Sequence, residues 1–368
     1  MNRVSNIKFK GEKDELTKYI QSLREFLTKA DMEKGNAELH IKAAIILTAF
    51  FTTYLAIVFQ LGSGPYWLVF KIALMGFLAP QIGFNVMHDA AHGSFSKNHK
   101  VNALMAFTLN ILGGNAFIWD KKHNQIHHSF TNIHEHDDDP MIGPIARLNE
   151  HQRWRPYHQY QHRYLWIAYA LSYWLWIYVL DFSKFVRKKV RAKPMKMERS
   201  DKRIFWWSKI LHWTMFIIIP MLTSYTWYEV LLGYFAYVLI TGFIISIVFQ
   251  PAHVVLEADV VDEPHPSADK PSLGIVEQEF YEHQLNTTVN FAADSKLAHI
   301  LTGGLNQQVE HHLFPHISHV YYPYIRTQLK KWCIEHNYPY KEIPTFWGAL
   351  VSHYRLLKKY GKKPMQVV

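Results

Sequence analysis

The sequence predicts an all-α integral membrane protein, with four transmembrane helices in two hairpins and its histidines gathered at one membrane face. Three observations carry this. Four apolar blocks of about 20 residues stand in two close pairs, and about 20 is what a bilayer crossing requires. Lys and Arg are absent from the short turn inside each pair and crowd the other segments. Three histidine clusters each follow an apolar block on the same predicted side.

Composition supports a membrane class. The 368 residues include 12 Trp, 21 Tyr and 23 Phe, and the formal net charge is +10. The mean hydropathy of −0.12 averages very apolar blocks against polar, histidine-rich segments. A basic balance on such a chain suits anionic lipid or acidic partners. No nucleic-acid-binding motif accompanies it, so nucleic acid is not a predicted partner. Cys333, the single cysteine, excludes an internal disulfide.

Taken in order, residues 1–40 form a charged, partly helical segment that lacks the apolar core of a signal peptide. The membrane domain is read as 41–330, and 331–368 as a cytoplasmic tail. The crossings are placed at 41–62, 67–87, 204–223 and 230–249. Pro80 would kink the second, which a membrane helix tolerates. Blocks 101–118 and 164–182 are ambiguous, and the second is rich in the Trp and Tyr of a membrane interface. The turns 63–66 and 224–229 carry no Lys or Arg, so the positive-inside rule puts both termini and the long polar segments in the cytoplasm.

The clusters are "HDAAH" with His88 and His92, "HNQIHH" with His123, His127 and His128, and "QVEHH" with Gln308, His311 and His312. On a helix, residues three or four apart share a face. His88 therefore aligns with His92, His123 with His127, and Gln308 with His311. Separate sets delivered to one membrane face read as one metal site. A shared site decides the ambiguous blocks: if either 101–118 or 164–182 crossed fully, the clusters would be split, so both are interfacial or re-entrant. Seven histidines exceed what one tetrahedral zinc takes. Imidazole also suits iron, and seven would serve two ions. Carboxylate-bridged di-iron bundles use Glu-x-x-His pairs, which this chain lacks.

These residues carry a resemblance. "HDAAHGSFS", "HNQIHHSFTN" and "GGLNQQVEHHLFPH" resemble, in order and spacing, the three histidine boxes of the membrane fatty acid desaturases. Gln308 in place of the first histidine of the third box marks the front-end type, and the resemblance covers roughly residues 60–330. It implies two transmembrane hairpins under a cytoplasmic helical cap that holds a histidine-rich di-iron site. It also implies a further ligand after the fourth membrane helix, where His253 stands in "VFQPAH". Gln308 binds iron directly, binds it through water, or hydrogen-bonds to a ligand; the residue type leaves these open.

The activity implied is O2-dependent insertion of a cis double bond into an acyl chain carried by a lipid or by CoA. The cofactors are two iron ions, with O2 as co-substrate. Two electrons per turnover come from a separate donor of ferredoxin or cytochrome b5 type, because the chain shows no "HPGG" haem motif. That points to a bacterial inner membrane. Ligating histidines usually donate their second N–H to a carboxylate or carbonyl. Asp89, Glu310 and the run Asp137–Asp139 are candidates, whereas His134, His136 and His316 are left outside the ligand set. The basic run 184–203 anchors on anionic lipid or docks an acidic donor. An acyl hydroxylase on the same scaffold and a non-catalytic membrane metal-binding protein are the alternative readings.

Overall fold

A computed structural model of the chain describes every residue except 1–5, 12–13, 63, 140–142, 192, 263, 265–272 and 365–368. The amphipathic helix α1, Glu15–Lys29, starts at Asp14, whose carboxylate accepts from Thr17 N at 3.0 Å. Two helices long and apolar enough to cross a membrane follow: α2, Ala37–Val58, and α3, Pro65–Ala91. Two bent pairs come next. In the first, α4 (His99–Ile111) meets α5 (Ala116–His127) at 102°; in the second, α6 (Pro156–Ala170) meets α7 (Ser172–Arg187) at 65°. The other long apolar helices are α8, Arg199–Met221, and α9, Trp227–His253. Shorter helices follow: α10 (Phe280–Thr287), α11 (Lys296–Thr302), α12 (Gln308–Leu313), α13 (Tyr322–Glu335) and α14 (Phe346–Gly361). The all-α expectation is corrected to mostly helical: Asn6–Phe9 pairs with Leu273–Val276, Lys189–Val190 with Lys193–Pro194, and Asn290–Phe291 with Glu342–Ile343, short ladders that satisfy backbone groups where the chain leaves its helices.

The four apolar helices fall where the sequence placed them, but their ends differ. Helix α2 stops at Val58, and Gln60 (φ 55°) and Gly62 (φ 75°) turn the chain toward α3. Helices α3 and α9 run past their apolar blocks, so His88 and His253 ride on rigid extensions of them. Lys71, a charge inside an apolar run, donates to Ala56 O at 3.2 Å and Leu61 O at 2.7 Å. It thereby adds a second donor to Ala56 O in the last turn of α2, which also accepts from Leu61 N at 2.9 Å, and gives Leu61 O, in the turn beyond, a donor.

The bend between α4 and α5 would be costly in an apolar slab, because its carbonyls leave the helical ladder. Each finds a side chain. His212 Nδ1–H donates to Ile111 O at 3.1 Å, the Tyr173 hydroxyl donates to Leu112 O, and Lys209 Nζ donates to Gly113 O at 2.6 Å. Gly113 is required here: its φ is +93°, and a Cβ would lie 2.9 Å from the His212 ring. Lys209 also donates to Ile177 O at 2.9 Å and to Asp181 Oδ2 at 3.1 Å, so α8 fastens both bent pairs.

Above the long helices, α1 packs Leu16, Ile20, Leu23 and Leu27 against Val309 and Leu313 of α12 and Ile325 and Leu329 of α13. The 4-3-4 spacing of those α1 residues is the helix period. Their burial braces α12 from behind.

Candidate metal centre

Three local features deliver the histidines. Gly83–Met87 of α3 is a π turn, and His88–Ala91 continues from it. His123–His127 of α5 is a second π turn, closed by His128 N donating to His123 O at 3.1 Å. This matters for His128. On a regular α-helix a residue five along lies about 140° round, facing away. The i+5 closure of a π turn brings it back, and the His123 and His128 ring centres lie 4.8 Å apart. The third feature is α12, which carries His311 and His312.

All seven box histidines and His253 meet in one buried cluster. His88, His92, His123 and His311 offer nitrogens within 4.8 Å of one another, and so do His127, His253 and His312. His128 stands between the groups, within the same distance of His311 and His312. The inward Nε2 atoms of His92, His127, His253, His311 and His312 are buried without a hydrogen-bond partner. Each such atom costs about 1–3 kcal/mol if left so. Five in one cavity make little sense as packing and good sense as ligand atoms.

The outward nitrogens of five rings are engaged. His123 Nδ1–H donates to Asp139 Oδ2 at 2.6 Å, and His127 Nδ1–H to Asp137 Oδ2 at 2.9 Å. His311 Nδ1 is 3.1 Å from the Tyr322 hydroxyl. His312 Nδ1 is 2.9 Å from Gln284 Oε1 and 3.1 Å from Thr131 Oγ1, and His253 Nδ1–H faces Thr287 O at 3.5 Å. Such partners fix the tautomer and aim Nε2 inward. Burial, reinforced by neighbouring rings, holds His92, His128, His311 and His312 well below the ordinary imidazole range. Each is then neutral and keeps a lone pair. Burial raises the Asp139 carboxyl, but Lys122 and His123 outweigh it and hold it well below its usual range. Burial lowers His127 too, but Asp137 pulls the other way and raises that imidazole above the ordinary range. A set of eight imidazoles suits iron.

The fatty acid desaturase family profile matches residues 62–344. The chain belongs to the fatty acid desaturase family. It is 31% identical over 336 residues to the sn-1 linoleoyl-lipid 6-desaturase of Arthrospira platensis, covering 90% of this chain and 88% of that protein. With the acyl-lipid (8-3)-desaturase of Physcomitrium patens it shares 34% over 336 residues, covering 89% and 68%. With the acyl-lipid (8-3)-desaturase of Mortierella alpina it shares 30% over 355 residues, covering 93% and 76%. The front-end desaturase resemblance read from the three boxes is borne out.

Not every polar residue singled out in the sequence lies where it was expected in the desaturase. Asp89 Oδ2 accepts from Ser318 Oγ at 2.7 Å and faces His319 Nδ1 at 3.0 Å. Glu310 accepts from Asn290 Nδ2 at 2.9 Å and from the Tyr340 hydroxyl at 2.5 Å. Burial pushes its carboxyl up to about 7, against the pull of those two donors. Neither carboxylate backs a box ring. The reason is helical: each stands one position, about 100°, from a box histidine, so it points elsewhere. Gln308 is buried and donates its amide to Leu305 O at 2.8 Å. His316 Nδ1–H donates to His92 O at 3.0 Å, and His134 lies 3.8 Å from Glu135. Like His136, they stand outside the metal-competent groups.

Sequence reasoning missed Gln284 and Tyr322, which lie outside the quoted boxes, and Thr131, which lies inside "HNQIHHSFTN" but carries no ligand signal of its own. It also missed His319. Lys42 Nζ lies 2.7 Å from His319 Nε2. An ammonium only donates, so Nε2 accepts and the Nδ1–H is turned toward Asp89. The basic run is partly tied down, since Lys184 and Arg191 pair with Asp138 at 2.8 and 2.9 Å. An apolar cavity adjoins the cluster at His88, between Phe84, Leu112, Trp119, Tyr173 and Phe249.

Proposed function

We propose that this oxidoreductase inserts a cis double bond near the carboxyl end of an acyl chain carried by a membrane lipid. The observation that carries the reading is the buried cluster of eight imidazoles, five of them with an unpartnered Nε2, beside an apolar cavity. His88, His92, His123 and His311 would hold one iron ion, and His127, His253 and His312 the other, with His128 completing the set. When bound, the iron pair supplies the O2-dependent oxidising power that side chains lack. In balance, a methylene pair gives up two hydrogens, and O2 with two further electrons and two protons becomes two waters. Asp137 and Asp139 hold their rings in the tautomer that presents Nε2. The cavity walls keep the chain extended against His88 and exclude water. Gln308, through Leu305 O, braces part of that wall.

The metal centre and both termini are proposed to lie on the cytoplasmic side, with the electrons arriving from a donor protein there. The Lys/Arg asymmetry supports this. So does parity: the first and second boxes share one cluster, so α4–α5 returns to the side it left. The second box and His253 also share it, and α8 with α9 makes an even number of crossings, so α6–α7 returns too. The capped carbonyls at Ile111–Gly113 suit a re-entrant turn buried in protein.

The test is a fatty-acid profile of an expressing host with double-bond location. A product lighter by about two mass units, with a new double bond between the carboxyl group and existing ones, is expected. A product heavier by about sixteen would replace this reading with a hydroxylase using the same iron–oxygen chemistry. An unchanged profile, with the iron-loaded chain present and its electron donor supplied, would overturn both.

A further inference from the structure

The seven-residue helix α11, Lys296–Thr302, lies between the second bent pair and the third box in sequence order, and no part of the site chemistry uses it. Its Leu297, Ile300 and Leu301 are 66%, 46% and 36% exposed. Spaced i, i+3, i+4, they form one face. The opposite side is packed: Ala298 leans on the cluster around Phe291, and Thr302 is buried.

The level of α11 relative to a bilayer can be measured along two helices. A hydrocarbon core of about 30 Å takes about 20 helical residues. Counted from Pro65 at the start of α3, the inner edge falls at Phe84; counted from Trp227 at the start of α9, it falls at Ser246, two residues before Val248. Phe84 and Val248 pack in the same small cluster, together with Leu305, so the two measures agree to within about 3 Å, two residues of helix rise. Helix α11 packs on the Gly83–Met87 turn. Gly303, which ends it, approaches so closely that a Cβ would lie 2.3 Å from Phe84 O. The apolar face of α11 therefore stands at the inner edge of the apolar slab, continuous with helices that face lipid.

We propose that α11 is an in-plane membrane-contact helix whose Leu297–Ile300–Leu301 face rests among the acyl chains of the cytoplasmic leaflet. Interfacial helices sink an apolar face to about this depth, and an exposed apolar triad next to a lipid-facing belt is otherwise a liability. The occupant is the bilayer itself. A consequence follows for substrate, which rests on the acyl-lipid reading above: Leu305, three residues past α11, walls the cavity beside His88, so α11 holds the site wall at the depth of a lipid's own chains.

The experiment uses the full chain reconstituted in phosphatidylethanolamine–phosphatidylglycerol vesicles. Leu297→Cys, Ile300→Cys and Leu301→Cys are labelled singly with a nitroxide. The native Cys333 is buried, and the unlabelled parent checks that it stays unreactive. Collision with O2, which partitions into lipid, should exceed collision with a water-soluble nickel chelate at all three sites. A label at Lys331→Cys, on the exposed side of α13, should show the reverse. Nickel-chelate collisions dominating at the three α11 sites would overturn the proposal. So would spin–spin broadening that vanishes on dilution with unlabelled chain, which would place a second copy on this face. The readout needs no turnover, so it stands or falls separately from the desaturase reading.

Discussion

Replacing Asp137 with Asn changes one buried carboxylate and keeps its shape. Asp137 Oδ2 accepts from His127 Nδ1–H at 2.9 Å and from Asn132 N at 2.9 Å, while Oδ1 accepts from Asp139 N at 2.9 Å. Both oxygens therefore face N–H donors. An amide has one acceptor oxygen and one donating nitrogen, so either rotamer sets N–H against N–H. With its oxygen toward His127, it strands the Asp139 amide, at about 1–3 kcal/mol for a buried unmade bond. With its nitrogen toward His127, it opposes the tautomer that presents Nε2 to metal. The charge-assisted bond to the ring is also lost, and such bonds are roughly twice as strong as neutral ones. Removing a ligand's outer partner typically lowers metal affinity about 10–100-fold, or ~1.4–2.8 kcal/mol at about 1.4 kcal/mol per tenfold. The two estimates agree. The assay is iron retained per chain against rising chelator, together with product per iron. Asp137→Asn should release iron at a chelator concentration about 10–100-fold lower than the parent. Asp89→Asn and Glu310→Gln, whose carboxylates touch no box ring, should shift it less. Parent-like iron retention in Asp137→Asn, with a large loss in Glu310→Gln, would refute the assignment of outer partners.

Lys209→Met should lower thermal stability by about 3–5 kcal/mol, because it leaves buried Asp181 without its counter-charge. Lys209→Met with Asp181→Leu should recover part of that loss; a double variant no more stable than the single one would deny the pair its role. Reporter fusions after residues 100, 150 and 260 should all read cytoplasmic, and one external reading breaks the parity argument. Gln308→His should load iron and keep more product per iron than Gln308→Ala, which frees the Leu305 carbonyl beside the cavity. Parent-like activity in Gln308→Ala would leave the amide with a packing role only.

The sequence by itself determined the parts that depend on local pattern. Runs of apolar residues reveal crossing-length helices because a bilayer sets a length, and α2, α3, α8 and α9 appear accordingly. Spacings of three and four reveal shared faces, and His88 with His92 obeys this, their ring centres 4.7 Å apart. The three boxes together were specific enough to carry the family. Tertiary structure decided what spacing cannot encode. His128 joins the cluster because a π turn replaces an α turn, and no residue in "HNQIHH" announces that. Asp137 and Asp139, in a run that reads equally as a solvated loop, are folded under His127 and His123. Asp89 and Glu310, adjacent to box histidines in sequence, are carried off to other partners by the turn of the helix. Lys71 and Lys209 look misplaced in apolar runs until the turn carbonyls they reach, Leu61 O and Gly113 O, are seen beside them. A ligand's helix fixes which way its ring points. What stands behind that ring comes from other segments of the chain, and only packing brings them there.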